Sequence, residues 1–152
     1  AYEIHERLVG SEMCIRDSGI GTDIVDARRI QAAMDRHPNK FAKRIFSNAE
    51  ITAAKECSNQ ASYFAKRFAI KEAVYKALSS SGVPGCGWRE AETLSAPNGA
   101  PMVNLTGRCK TALETMTPDG YKTGLSVSLS DEPPYALAFI VISAVPAEWI
   151  KP

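Results

Sequence analysis

Two adjacent charged side chains, Lys71 and Glu72, stand where a helix should be apolar. The segment YFAKRFAIKEAVYKAL, from Tyr63 to Leu78, has few helix breakers and helical periodicity throughout. At about 100° per residue, Phe64, Phe68, Tyr75 and Leu78 fall on one stripe, with Lys71 inside it and Glu72 at its edge. A charge directed toward an apolar face is costly unless it is paired or holds a metal. Glu72 thus reads either as half of a partly buried ion pair, most simply with Lys76 at i+4, or as an oxygen ligand of a hard cation. Asp23 is the candidate second ligand, since it follows Gly19-Ile-Gly-Thr at the exit of a short strand. An aspartate there also reads as a cap or a solvated loop residue, and the run lacks the G-x-G-x-x-G dinucleotide fingerprint. Magnesium usually takes one or two protein carboxylates and fills its shell with water and phosphate oxygens. Arg67 and Lys76 are the basic residues nearest in sequence to hold further phosphate charge. Two acids among several bases is the balance of a metal–phosphate ester site.

The elements that must position these residues follow from capping and periodicity. Gly19 to Val25 reads as a short strand, after which Asp26 caps a helix, DARRIQAAMDRH, ended by Pro38. Lys40 to Phe46 is a second short helix, and Ser47-Asn-Ala-Glu50 is a capping box opening a third. The central helix runs from Ser62 to Leu78, and the serines and glycines of Ser79 to Gly87 make a loop. Asn98-Gly-Ala-Pro101 turns between two short strands, the second being Met102 to Leu105, and Thr106 caps a helix through Met116. A hairpin closes the chain: Gly124 to Ser130 alternates with period two, and Tyr135 to Val145 is apolar enough to predict burial on both faces. The fold class is α+β, with helices packed on a small, mainly antiparallel sheet.

At 152 residues the chain is one domain with a real core. Residues 1–18, AYEIHERLVGSEMCIRDS, lack strand or helix patterning and the layout of a secretory signal. They read as a foreign-looking, poorly ordered leader, leaving 19–146 as the domain and 147–152 as a tail. A formal net charge of +1 does not announce a nucleic-acid binder, and no apolar run has membrane-spanning length. Cys14, Cys57, Cys86 and Cys109 are widely spaced, which argues against zinc and fits reduced thiols in the cytoplasm. His5 and His37 are the only histidines, so a general base should be a carboxylate, a lysine or water.

Three blocks, GIGTDIVDARRI (19–30), FAKRFAIKEAVYKAL (64–78) and VSLSDEPPYALAFIVI (127–142), occur in this order with the NGAP turn between the second and third. Together they resemble the holo-[acyl-carrier-protein] synthase family of small 4′-phosphopantetheinyl transferases, over residues 19 to 145. The resemblance implies transfer of the 4′-phosphopantetheine arm of coenzyme A to a serine of apo-acyl carrier protein, with release of adenosine 3′,5′-bisphosphate. It also implies that Asp23 and Glu72 bind Mg2+ (or Mn2+), and that Glu72, directly or through water, takes the serine proton. Lys76 would stabilise the pyrophosphate, Arg67 would contact the nucleotide end of coenzyme A, and the segment holding Ser128 and Ser130 would lie near the 3′-phosphate. Asp131 departs from those relatives that carry histidine there, and Ser-Ser-Ser-Gly replaces their usual glycine-rich loop after the central helix.

Arg28 and Arg29 sit on the first helix, where the family docks its acidic carrier protein, although a solvated basic face is the simpler account of their composition. Like its family, the chain should be a homotrimer with coenzyme A between neighbours. Cys14-Ile-Arg-Asp-Ser18 replaces the apolar residues that usually complete the first strand, so that strand should start late. Two other functions use the same residues: a metal-dependent nucleotide or pyrophosphate hydrolase, and a non-catalytic module that binds nucleotide or carrier protein.

Overall fold

Strict alternation in the last strand organises the molecule. The computed structural model describes residues 16–38 and 40–150. In chain order these form β1 (Arg16–Asp26), α1 (Ala27–Arg36), α2 (Lys40–Ile45), α3 (Asn48–Ala54), α4 (Gln60–Leu78), β2 (Ala91–Ser95), β3 (Pro101–Leu105), α5 (Gly107–Met116), β4 (Tyr121–Glu132) and β5 (Tyr135–Pro146). Strand β5 is central in an antiparallel sheet of order β1-β5-β4, while β2 and β3 form a separate antiparallel pair. The architecture is α+β, as the residue patterns predict. No helix among the described residues is long and apolar enough to cross a membrane.

Ala136, Ala138, Ile140, Ile142 and Ala144 of β5 point inward and are buried, whereas Tyr135, Leu137 and Phe139 point outward and are exposed. The expectation of burial on both faces is therefore corrected: among the described residues α4 covers one face, while Tyr135, Leu137 and Phe139 of the other stay exposed. Strand β1 also departs from expectation. It begins at Arg16, three residues before the expected start at Gly19, with a register shift between Asp17 and Gly19. Pairing with the long β5, Arg16 opposite Ala144 and Asp17 opposite Ser143, supplies the backbone partners that local composition does not announce. The rest of the expected leader, residues 1–15, lies outside the described residues.

Helix α4 starts at Gln60, two residues before the expected start, because the Asn59 side chain accepts from the Ser62 N–H at 2.9 Å. Its buried face is built largely of small residues, Ala65, Ala69, Ala73 and Ala77, with Ile70 and Val74 beside them. Tyr75, placed by periodicity on the apolar stripe, is instead 54% exposed. The helix turns its alanines to β1 and β5 because that allows the closest approach, and the bulkier aromatic is left outside. Asp26 caps α1 by accepting from the Arg28 N–H at 2.9 Å. Ser47 and Glu50 complete the capping box of α3.

Candidate functional site

The site is made where β1 crosses α4. Gly19, Gly21 and Asp23 alternate onto one face of β1. A Cβ at Gly19 would overlap the Ala77 carbonyl oxygen, and one at Gly21 the Ala73 carbonyl oxygen. The two glycines thus let the helix backbone rest directly on the strand. The next residue on that face, Asp23, then meets the flank of α4 carrying Glu72 and Lys76. Lys76 Nζ donates to Asp23 Oδ1 at 2.9 Å and to the Thr22 carbonyl at 2.8 Å. The simple pairing of Glu72 with Lys76 is therefore corrected, because Asp23 takes the ammonium. Glu72 is half-buried, and its pKa is raised, first by burial and then by the nearby Asp23 charge, with Lys76 acting in the opposite direction.

Asp23, Glu72 and Lys76 line one open cleft of about 510 Å³ together with Arg29, Phe41 and Phe68. Among the described residues no cluster of three or more histidine, cysteine, aspartate or glutamate side chains forms an all-protein cage. Two hard oxygen donors with a cationic neighbour are nonetheless the donor set by which magnesium is held when substrate phosphate completes its shell. Burial first, and then the neighbouring Asp23 charge, disfavour the ionised Glu72 carboxylate, and a divalent cation between the two acids would favour it. The residues present fit such an ion.

Lys71 faces away from this cleft into the core. Its Nζ lies 2.9 Å from Glu50 Oε2 and donates to the Ala91 carbonyl at 2.7 Å, and the residues are 2% and 0% exposed. Burial lowers the Lys71 pKa, and the Glu50 charge partly offsets that effect. Glu50 also accepts from the Ser47 N–H at 2.8 Å and the Thr93 N–H at 2.9 Å. One carboxylate thereby joins α3, α4 and β2 and fixes the helix turn that presents Glu72. The sequence marks Glu50 only as a capping-box residue; its long-range partners leave no local signal.

The remaining expected site residues are spread around the molecule. Arg29 lines the cleft, while Arg28 is exposed, with its Nη2 2.7 Å from Asp26 Oδ2 and its guanidinium 5.9 Å from the Tyr135 ring centroid. That pairing holds the Asp26 carboxyl below its ordinary pKa. Arg67 is buried, donating from Nη2 to Ser95 Oγ at 3.0 Å with its guanidinium 4.0 Å above the Tyr63 ring. Ser130 is exposed on β4 opposite Leu137, and its neighbour Asp131 pairs with Lys66 at 3.1 Å. Neither Arg67 nor Ser130 lines the cleft of Asp23 and Glu72. Beyond Leu78, Ser79–Ser81 continue as a short 3-10 turn, with Ser79 Oγ donating to the Lys76 carbonyl at 2.7 Å. Two aromatic features were not expected from the residue patterns: Phe41 in the cleft wall, and Phe68 stacked on Trp88 at 5.3 Å.

Comparison with known proteins bears on this arrangement. Residues 19–138 match the family model of the 4′-phosphopantetheinyl transferase superfamily. The chain is 41% identical over 128 residues to a holo-[acyl-carrier-protein] synthase of Methylorubrum extorquens (strain PA1), covering 84% of this chain and 94% of that protein. It is 42% identical over 129 residues to the protein of the same name from Phenylobacterium zucineum (strain HLK1), covering 85% and 94%. Among solved structures, holo-[acyl-carrier-protein] synthase from Neisseria meningitidis superposes with a TM-score of 0.72 at 33% identity, covering 84% of this chain and 98% of that one. The Helicobacter pylori synthase in complex with coenzyme A superposes with a TM-score of 0.65 at 29% identity, covering 81% and 98%.

Proposed function

The chain belongs to the 4′-phosphopantetheinyl transferase superfamily, and we propose that it transfers the 4′-phosphopantetheine arm of coenzyme A to a serine of apo-acyl carrier protein, releasing adenosine 3′,5′-bisphosphate. The observation that carries this reading is the convergence of Asp23, Glu72 and Lys76 on one cleft whose rim bears Arg29. A Mg2+ or Mn2+ held by Asp23 and Glu72 would supply neutralisation of the diphosphate and of the charge developing on the leaving phosphate.

The chain's own residues divide the remaining work. Lys76, tethered by the Thr22 carbonyl and Asp23, holds a positive charge in place for the pyrophosphate without needing to reorganise. Glu72 receives the proton of the carrier serine as its oxygen forms the new bond to the β-phosphorus. The bond from that phosphorus to the bridging oxygen breaks, and the electron pair leaves with adenosine 3′,5′-bisphosphate. Half-burial of Glu72 keeps the reacting oxygens partly screened from water. Arg29, exposed beside the cleft, orients the acidic carrier protein, with Arg28 contributing to the same basic helix.

Arg67 and Ser130 contact coenzyme A in this reading only if a neighbouring copy completes the site. An exposed apolar sheet face supports such an assembly, a homotrimer with interfacial sites: Ile20 and Ile24 are 64% and 63% exposed beside exposed Leu137 and Phe139. The cytoplasm is the proposed compartment, in keeping with free thiols at Cys57, Cys86 and Cys109, and the carrier of fatty-acid synthesis is the proposed partner.

The test is incubation with coenzyme A, magnesium and apo-carrier, followed by intact mass measurement of the carrier. A gain of one phosphopantetheine is expected, and Glu72→Gln should abolish it while leaving the fold unchanged. Cleavage of coenzyme A without carrier modification would establish a hydrolase instead. Binding without either product would leave a non-catalytic module.

A further inference from the structure

Beside the cleft, and sharing Glu72 with it, lies a second, mostly apolar pocket of about 410 Å³ whose wall includes both Cys86 and Cys109. The segment holding Cys86 and the first turn of α5 holding Cys109 are tied together at three points. A single oxygen of Glu90, Oε2, accepts from the Gly87 N–H at 3.0 Å, the Arg108 N–H at 3.0 Å and the Cys109 N–H at 3.3 Å. Arg108 Nη1 donates to the Pro84 carbonyl at 3.3 Å, and Cys109 Sγ lies 4.0 Å from the Gly87 carbonyl oxygen. Two backbones gathered on one carboxylate oxygen bring both side chains to one pocket wall, where the Cys86 thiol adjoins that of Cys109.

We propose that Cys86 and Cys109 are a dithiol oxidation site, closing to an intramolecular disulfide when the chain meets a small-molecule disulfide such as oxidised glutathione. Cys86 is half-buried and reaches the pocket, whereas Cys109 is 3% exposed. Cys86 therefore leads. Its thiolate attacks one sulfur of the oxidant, the S–S bond breaks, and one small thiolate leaves. Cys109 then gives its proton to that thiolate and attacks the Cys86 sulfur. The mixed S–S bond breaks, and the second small thiolate leaves and takes up the proton that Cys86 had released to solvent. Two protein thiols lose two electrons and two protons, and the oxidant becomes two thiols.

Burial, then the adjacent Cys86 sulfur and Glu90, push the Cys109 thiol up to about 12. The second step is accordingly slow, and the pair stays reduced unless oxidant persists. Closure draws residues 84–87 toward α5 and narrows the pocket next to Glu72. It also shifts Trp88, whose ring rests on Phe68 in the wall of the cleft. The effect on turnover rests on the proposed transferase function; bond formation does not.

The experiment equilibrates the full chain with oxidised glutathione and maps its peptides without reduction, then measures carrier modification before and after dithiothreitol. A linked Cys86–Cys109 peptide lighter by two hydrogens is expected, with transfer reduced several-fold and restored by dithiothreitol. Cys86→Ser should transfer normally and lose the sensitivity. Recovery of both cysteines as free thiols, or as separate glutathione adducts, would overturn the site. A linked peptide with unchanged transfer would overturn the effect on the pocket. Because mapping requires no turnover, a chain that forms the bond but never modifies carrier would refute the transferase assignment alone.

Discussion

Gly21→Ala is the sharpest perturbation of the contact between β1 and α4. The added methyl would overlap the Ala73 carbonyl oxygen and stand only 2.8 Å from both the Ala73 carbonyl carbon and the Ala77 amide nitrogen. All three are backbone atoms, so no rotamer change relieves the clash. Even the latter two contacts are roughly 0.7 Å inside the optimum for non-bonded heavy atoms. The helix must therefore lift from the strand by something approaching 1 Å. Overpacking of this kind typically costs about 1–3 kcal/mol of stability. The kinetic effect should be larger, because Asp23 rides on the strand while Glu72 and Lys76 ride on the helix. A misplacement near 1 Å can lower turnover on the order of 10²-fold. Urea unfolding and steady-state transfer kinetics measure the two effects separately. Gly19→Ala is the control: its methyl would meet Ala77 and Met116, farther along the helix from Glu72, so stability should fall with a smaller loss of kcat. Near-normal kcat/KM in Gly21→Ala would refute the claim that close approach of the two backbones sets the site.

The other perturbations separate core, docking and titration. Lys71→Met leaves Glu50 buried without its counter-ion and should destabilise the fold by about 3 kcal/mol, with urea unfolding as the measure. Lys71→Met combined with Glu50→Leu should recover part of that loss, and a single variant within experimental error of the parent would show that the pair is not structural. Arg29→Glu should raise KM for carrier protein roughly tenfold or more, equivalent to ~1.4 kcal/mol, with little change in KM for coenzyme A. An equal loss for both substrates would remove Arg29 from docking. The Cys109 thiol is raised in the folded chain from 9.0 to about 12, so the folded state binds more protons between those values. Its contribution to stability is complete below pH 9.0 and lost as pH rises toward about 12. Cys109→Ala should show a flatter alkaline decline in urea midpoint than the parent, and matching slopes would show that this thiol does not govern it.

How far residue types and spacing carry depends on how local each interaction is. The Asp26 and Ser47 caps and the turn at Asn98 depend on neighbours within a few residues, and the structure forms them where the pattern predicts. Lys71 is legible as an anomaly within an apolar stripe, but its partner Glu50 lies on another helix and carries no local mark beyond its capping role. Asp23 and Glu72 are recognisable by type and motif. That Lys76 belongs to Asp23 rather than Glu72 follows only from the crossing of strand and helix. Tyr75 misleads because periodicity ranks side chains by apolarity, whereas α4 packs by size, with alanines against glycines. Leu137 and Phe139 mislead for a related reason. Their composition matches a covered face, and no element among the described residues covers them.

The Glu50 carboxylate has a consequence for the order in which the molecule opens. Its oxygens hold the amide protons of Ser47 and Thr93 where solvent has no access, and the Lys71 ammonium seals the same point. Neither amide can exchange with deuterium by fraying of its own segment, because release of either one strands a charge in the core. Both should exchange together, at the free energy of global unfolding, while the exposed end of the β4–β5 hairpin near Glu132 exchanges much sooner. In a protein of mostly short elements, one buried carboxylate thus sets a common clock for three of them.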